Sequence, residues 1–326
     1  MLSCVVSRVT QGAGHDMANS MERIEDLIGS GQLRFVYVLG LARSGSTIVA
    51  RTLGAALDGT VYEPATPARL GRLDHYARTI LRAYDLAQRE TGSDRPVSLC
   101  IKDLSLFVDA PRLSALLARA AHLVVTVREP RAQQASLTAM LRHEFSIWQR
   151  VEIIFRAPFE ALGMAWHFLA YGRRFLRDAS RPLGFRLSQM HRLAIAGWNL
   201  DSWQRLEALL AASPAMPVTI IDAGAARRDP AGTAAELAAI AATIAPIGPR
   251  ASVSIAGHCR MLPRSKWAAE ALRSSGINAG PQREPLPPPD AFDQRLLDLT
   301  EPAYSRVLSR RSSTTVTAAA SAAAAE

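Results

Sequence analysis

Cysteine is scarce in this 326-residue chain: Cys4, Cys100 and Cys259 stand far apart and are odd in number. No Cys-x-x-Cys pair occurs, which argues against a disulfide framework and a thiolate zinc site and favours free thiols in a reducing compartment. No His/Asp/Glu set has metal-ligand spacing, so no metal is expected. Long hydrophobic runs are also absent. A membrane span needs about 18 consecutive apolar residues, and the nearest approach, 157–170, is interrupted by Glu160, Gly163 and His167. The N-terminus, MLSCVVSRVTQGAGHDMANSMERIEDL, has neither the charged start nor the apolar stretch of a secretory signal. A cytoplasmic protein with no membrane span is expected. Acidic residues are outnumbered: 29 Asp and Glu against 38 Lys and Arg give a formal charge of +9. That excess suits an anionic partner, and a phosphate-rich cofactor, an acidic glycan and nucleic acid all fit it. No nucleic-acid motif is present and the arginines are dispersed, so nucleic acid is the weakest of the three.

Hydrophobic residues make up 48 % of the chain, enough for a large core. Compact apolar runs alternate with helical patterns. Strands are expected at 34–39 (RFVYVL), 97–101, 122–127 (HLVVTV) and 217–221 (PVTII). Helices are expected at 46–57, 113–120, across 131–210 with breaks at Pro158, Pro182 and Gly184, and at 231–244. Continuous apolar strands separated by helices indicate a parallel sheet covered on both faces. The fold class is therefore α/β, with a P-loop-type parallel sheet flanked by helices and a helical cap over about 142–192. Residues 1–21 and the Ala/Ser/Thr-rich 311–326 read as disordered ends of a single domain spanning 22–310. In such sheets, ligands bind beyond the carboxyl ends of the strands, here just after Leu39, Ile101 and Val127.

Directly after the first strand comes Gly40-Leu41-Ala42-Arg43-Ser44-Gly45-Ser46-Thr47, and then a helix. A helix N-terminus offers unpaired N–H groups to an anion. Gly40 and Gly45 allow the backbone to approach closely, Ser44, Ser46 and Thr47 add hydroxyls, and Arg43 adds a forked cation. The octapeptide reads as a phosphate or sulfate cradle, or alternatively as a plain helix cap. It has no Gly-Lys-Ser/Thr, so it lacks the lysine that serves the β- and γ-phosphates of ATP. A second feature follows the 122–127 strand. Arg128 stands at the strand end, Pro130 suits the first turn of a helix, and Ser136 lies about two turns in.

Together, Arg43-Ser44-Gly45-Ser46-Thr47 and Val127-Arg128-Glu129-Pro130 with Ser136 resemble the PAPS-dependent sulfotransferase family (PAPS is 3′-phosphoadenosine-5′-phosphosulfate). The loop arginine is more similar to the carbohydrate branch than to the phenol branch. Val61-Tyr62-Glu63-Pro64 and Ile101-Lys102-Asp103 look like segments of that branch, and the resemblance covers roughly residues 33–140. It implies a P-loop fold and PAPS as donor co-substrate, without a metal. Arg43, Ser44, Gly45, Ser46 and Thr47 would then hold the 5′-phosphosulfate, and Arg128 and Ser136 the 3′-phosphate. Glu63 is the implied base, with Asp103 as second candidate. Lys102 is expected either to neutralise the donor's bridging oxygen or to form an ion pair with Asp103.

His75, His143 and His167 are further candidate bases within helical patterns, where a core or surface role is commoner. The stretch 142–192 is rich in arginine and aromatics and is expected to form helices over the site mouth, meeting a small-molecule or glycan acceptor. Another small-molecule kinase of P-loop type, or a nucleotide-binding module without catalysis, are the competing readings.

Overall fold

Six short segments with alternating or continuous apolar residues pair into one sheet: β1 (Leu33–Gly40), β2 (Gly59–Tyr62), β3 (Val97–Leu104), β4 (His122–Val127), β5 (Val218–Asp222) and β6 (Val253–Ala256). Every pairing is parallel, in the order β5-β4-β1-β3-β2-β6. The computed structural model describes residues 20–65, 73–92, 95–108, 116–143, 170, 175, 190–212, 216–245, 250–256, 286 and 288–323. Its helices are α1 (20–29), α2 (Ser46–Ala56), α3 (Leu73–Thr91), α4 (Pro130–His143), α5 (Met190–Ala212), α6 (Ala223–Arg228), α7 (Pro230–Ala242) and α8 (Ala291–Ala323). The expected α/β architecture, a parallel sheet between helical layers, is the one observed.

Strand alternation divides the core in two. Phe35, Tyr37, Leu39, Leu99 and Ile101 face Tyr76 and Ile80 of α3 and Trp203 and Leu206 of α5. Val36, Val38, Cys100 and Val124 face Val49 and Leu53 of α2 and Leu237 and Ile240 of α7. Crossover helices thus cover both faces, which is why β1, β3 and β4 read as continuous apolar runs.

Strands β2 and β6 are absent from the sequence reading. Each has four residues, with Gly or Ser in place of an apolar run, and pairing from β3 outward makes them strands. Asp58 ties down their starts. Its buried carboxylate accepts from Arg95 at 2.5 and 3.1 Å, from Ser98 N at 2.9 Å and from Ala251 N at 3.1 Å. The last helix runs to Ala323, past the boundary expected at 310, through alanines that have the highest helix propensity. Most of the expected 142–192 cap lies outside the described residues, as do 1–19. Of the cap aromatics, Phe175 is buried against Phe292, with ring centroids 4.9 Å apart.

Candidate active site at the strand tips

The 40–45 turn is shaped by two glycines. A Cβ on Gly40 would lie 2.4 Å from Ser46 Cβ and 2.6 Å from Thr126 Oγ1, so only glycine lets the start of α2 press against the end of β1. Gly45 is the N-cap of α2, with φ 85° in the left-handed region. Its carbonyl accepts from Ile48 N and Val49 N, which leaves the N–H groups of Ser46 and Thr47 with no acceptor inside the helix. Ser46 is buried and Thr47 half-buried at this terminus.

The Ser44 hydroxyl is engaged within the fold. It is 2.6 Å from the Leu41 carbonyl and 2.7 Å from Thr126 Oγ1, so it faces back toward β4 and ties the turn to that strand.

Arg128, Arg43 and Ser136 converge. Arg128 Nη1 donates to the Arg43 carbonyl at 3.3 Å, and Arg43 Nε donates to Ser136 Oγ at 3.1 Å. Gln133, one helical turn before Ser136, donates to the Ala42 carbonyl at 3.0 Å. Helix α4 is oriented by Glu129, whose carboxylate accepts from Arg131 N and Ala132 N at 3.0 and 2.8 Å. The Arg128 side chain thus reaches the Arg43 backbone, and the Arg43 side chain reaches helix α4, at the tips of β1 and β4. The Arg43 side chain, expected beside a 5′-phosphosulfate, here reaches Ser136, the serine expected beside a 3′-phosphate.

On the other side of β1, at the tips of β3 and β2, Glu63 and Lys102 form a buried ion pair; Lys102 is 1 % exposed. Asp103 is not the partner of Lys102. Successive residues of β3 point to opposite faces, and Asp103 lies in the layer of Tyr37, whose hydroxyl donates to it at 2.5 Å. The Ala65 N–H donates to the other Asp103 oxygen at 2.9 Å. Burial pushes the Asp103 carboxyl up to about 7, and it drives the hydroxyls of Tyr37 and Tyr76 upward as well. At about 4.8 Å per strand, three strand spacings put the Arg128 and Glu63 ends of the site roughly 14 Å apart. Among the described residues, Arg43 (φ 66°) and Glu63 (φ 51°) are the non-glycine residues with positive φ. Such conformations persist where surrounding structure enforces them, and they concentrate at functional sites.

Thr126, Gln133 and Tyr37 were not among the expected site residues. Thr126 had a signal, being the polar residue near the end of an otherwise apolar strand. Gln133 shares the helical face of Ser136. His167 lies outside the described residues, and so do the side chains of His75 and His143.

A solved sulfotransferase from Alicyclobacillus acidocaldarius overlaps the fold with a TM-score of 0.39 and 15 % identity. The overlap covers 64 % of this chain and 80 % of the other. No family model and no curated protein matches the chain. Among the described residues, no helix is long and apolar enough to cross a membrane, and no three His, Cys, Asp or Glu side chains gather as metal ligands.

Proposed function

We propose that this protein is a sulfotransferase that moves a sulfuryl group from PAPS to a hydroxyl or amine of a small-molecule or glycan acceptor. The observation that carries this reading is the convergence of Arg43, Arg128 and Ser136 on the N-terminus of α2, with a carboxylate–lysine pair further along the same sheet edge. Forked guanidinium donors and a helix N-terminus suit phosphate and sulfate oxygens, so the residues fit a doubly phosphorylated adenosine. PAPS supplies an activated sulfuryl group bonded to a phosphate oxygen. Arg128 and Ser136 bind the 3′-phosphate. Arg43, Ser46, Thr47 and the Gly45 turn bind the 5′ end and stabilise the negative charge that collects on the departing phosphate. Glu63 takes the proton of the attacking hydroxyl as the new oxygen–sulfur bond forms and the old one breaks. Lys102 holds Glu63 in place and adds positive charge at that end of the site. As in phosphoryl transfer, positioning and charge stabilisation do most of the work.

Calorimetric titration tests the reading. Adenosine 3′,5′-bisphosphate is expected to bind more tightly than adenosine 5′-phosphate, and more tightly than ATP with Mg²⁺. Arg128→Ala removes a charged hydrogen bond, so it weakens the bisphosphate by about 10- to 100-fold and the monophosphate far less. Equal losses for both nucleotides would overturn the 3′-phosphate assignment. A preference for ATP with Mg²⁺ would point to a kinase.

A further inference from the structure

Glu63 sits in a left-handed conformation that a non-glycine residue does not hold unaided. Its turn therefore needs anchors. Pro64 has no N–H, so the backbone donors of the 63–65 turn are those of Glu63 and Ala65. Both are used. Glu63 N donates to the Lys102 carbonyl at 2.5 Å, and Ala65 N donates to Asp103 Oδ1 at 2.9 Å. The second anchor is a side chain that is itself fixed, since Asp103 is fully buried and Tyr37 OH donates to its Oδ2 at 2.5 Å.

We propose that Asp103 is a positioning residue for the transfer: by accepting from the Ala65 N–H, it fixes the turn that holds Glu63 against Lys102. The inference rests on the sulfuryl-transfer reading and deepens it. Asp103 lies in the Tyr37 layer, on the opposite face of β3 from the Lys102 side chain, and it acts through the backbone. The groups facing it are Tyr37 of β1, Tyr76 of α3, the Ala65 N–H and, by charge, Glu63 and Lys102. Both protonation states keep an acceptor for Ala65. The carboxylate accepts from both partners, and the neutral acid accepts at Oδ1 while its own O–H serves Tyr37. The clamp therefore survives the carboxyl's titration near neutrality.

The test compares Asp103→Asn, Asp103→Ala and Tyr37→Phe with the wild type in the full chain. Three quantities are read: exchange of the residue 65 amide by NMR, affinity for adenosine 3′,5′-bisphosphate, and release of that nucleotide from PAPS with water as acceptor. In Asp103→Ala the amide exchanges about fivefold faster or more, the net worth of one hydrogen bond. Turnover falls by about 100-fold, the scale of a slightly misplaced reacting group, with nucleotide affinity unchanged. Asp103→Asn keeps an oxygen for Ala65 and a donor for Tyr37, so it restores both protection and turnover. Tyr37→Phe leaves Asp103 less firmly oriented and gives a partial loss of both, which keeps the idea testable if Asp103→Ala does not fold. Wild-type turnover in Asp103→Ala or Tyr37→Phe overturns the proposal. So does an Asn variant that protects the amide yet is as inactive as Ala, because the carboxylate would then act chemically. A wild type that releases no nucleotide from PAPS sinks the transfer reading instead, and amide exchange still decides whether the clamp exists.

Discussion

Glu63→Gln keeps the shape of the side chain and removes its charge. Lys102, 1 % exposed, then holds a buried ammonium that has lost its carboxylate partner among the described residues, since Asp103 points the other way. Breaking a buried pair in this manner costs about 3–5 kcal/mol. The Glu63 side chain is 9 % exposed, so some solvent reaches the pair and the lower end, about 3 kcal/mol, is expected. With a urea slope of about 3 kcal/mol/M, the unfolding midpoint falls by about 1 M. A second variant separates the charge effect from the chemistry. Glu63→Gln combined with Lys102→Met removes the orphaned ammonium and recovers about 2 kcal/mol or more as coupling energy. On the proposed reading, sulfuryl transfer is lost in both variants, because neither keeps the Glu63 carboxylate. The assays are urea unfolding followed by circular dichroism and release of adenosine 3′,5′-bisphosphate from PAPS. A single-variant cost below about 1 kcal/mol, the range of exposed ion pairs, would refute the claim that Lys102 depends on Glu63.

Two further predictions concern the frame of the site. Burial raises Asp103 to about 7, so the native state keeps a proton that the unfolded chain gives up near pH 4. The stability this contributes is present at low pH and is lost as pH rises through about 7. Relative to Asp103→Asn, the wild type therefore loses about 2–3 kcal/mol between pH 5 and pH 8, and parallel stability–pH curves would contradict the shift. Gly40→Ala forces a methyl group into Ser46 and Thr126 and costs about 1–3 kcal/mol. Its melting temperature drops by several degrees and its nucleotide binding weakens; an unchanged melt would show that the turn can relax.

The central strands were legible because burial on both faces leaves apolar runs such as HLVVTV in the chain. The strand–turn–helix junction after β1 was legible because its glycines and the helix start lie in eight consecutive residues. Strands β2 and β6 were not, since four residues carry too short a pattern and their pairing is set by β3. The Glu63–Lys102 pair spans 39 positions and was hidden for the same reason. The Lys102–Asp103 pair, one of the two alternatives for Lys102, could have been rejected from the strand assignment alone, because neighbours on a strand face opposite ways. The inward turn of the Ser44 hydroxyl depends on Thr126, which only the folded sheet brings near.

The left-handed backbone at Arg43 and Glu63 bears on how the protein would respond to laboratory evolution. A library filtered by heat alone would favour glycine at 43, which relaxes the backbone by about 1 kcal/mol or more. Survivors would be sturdier and would lack the Arg43–Ser136 hydrogen bond, and on the proposed reading they would be inactive. At 63 the same filter would retain the carboxylate, since Lys102 would be stranded without it. Thermal selection would therefore discard one half of the site while preserving the other.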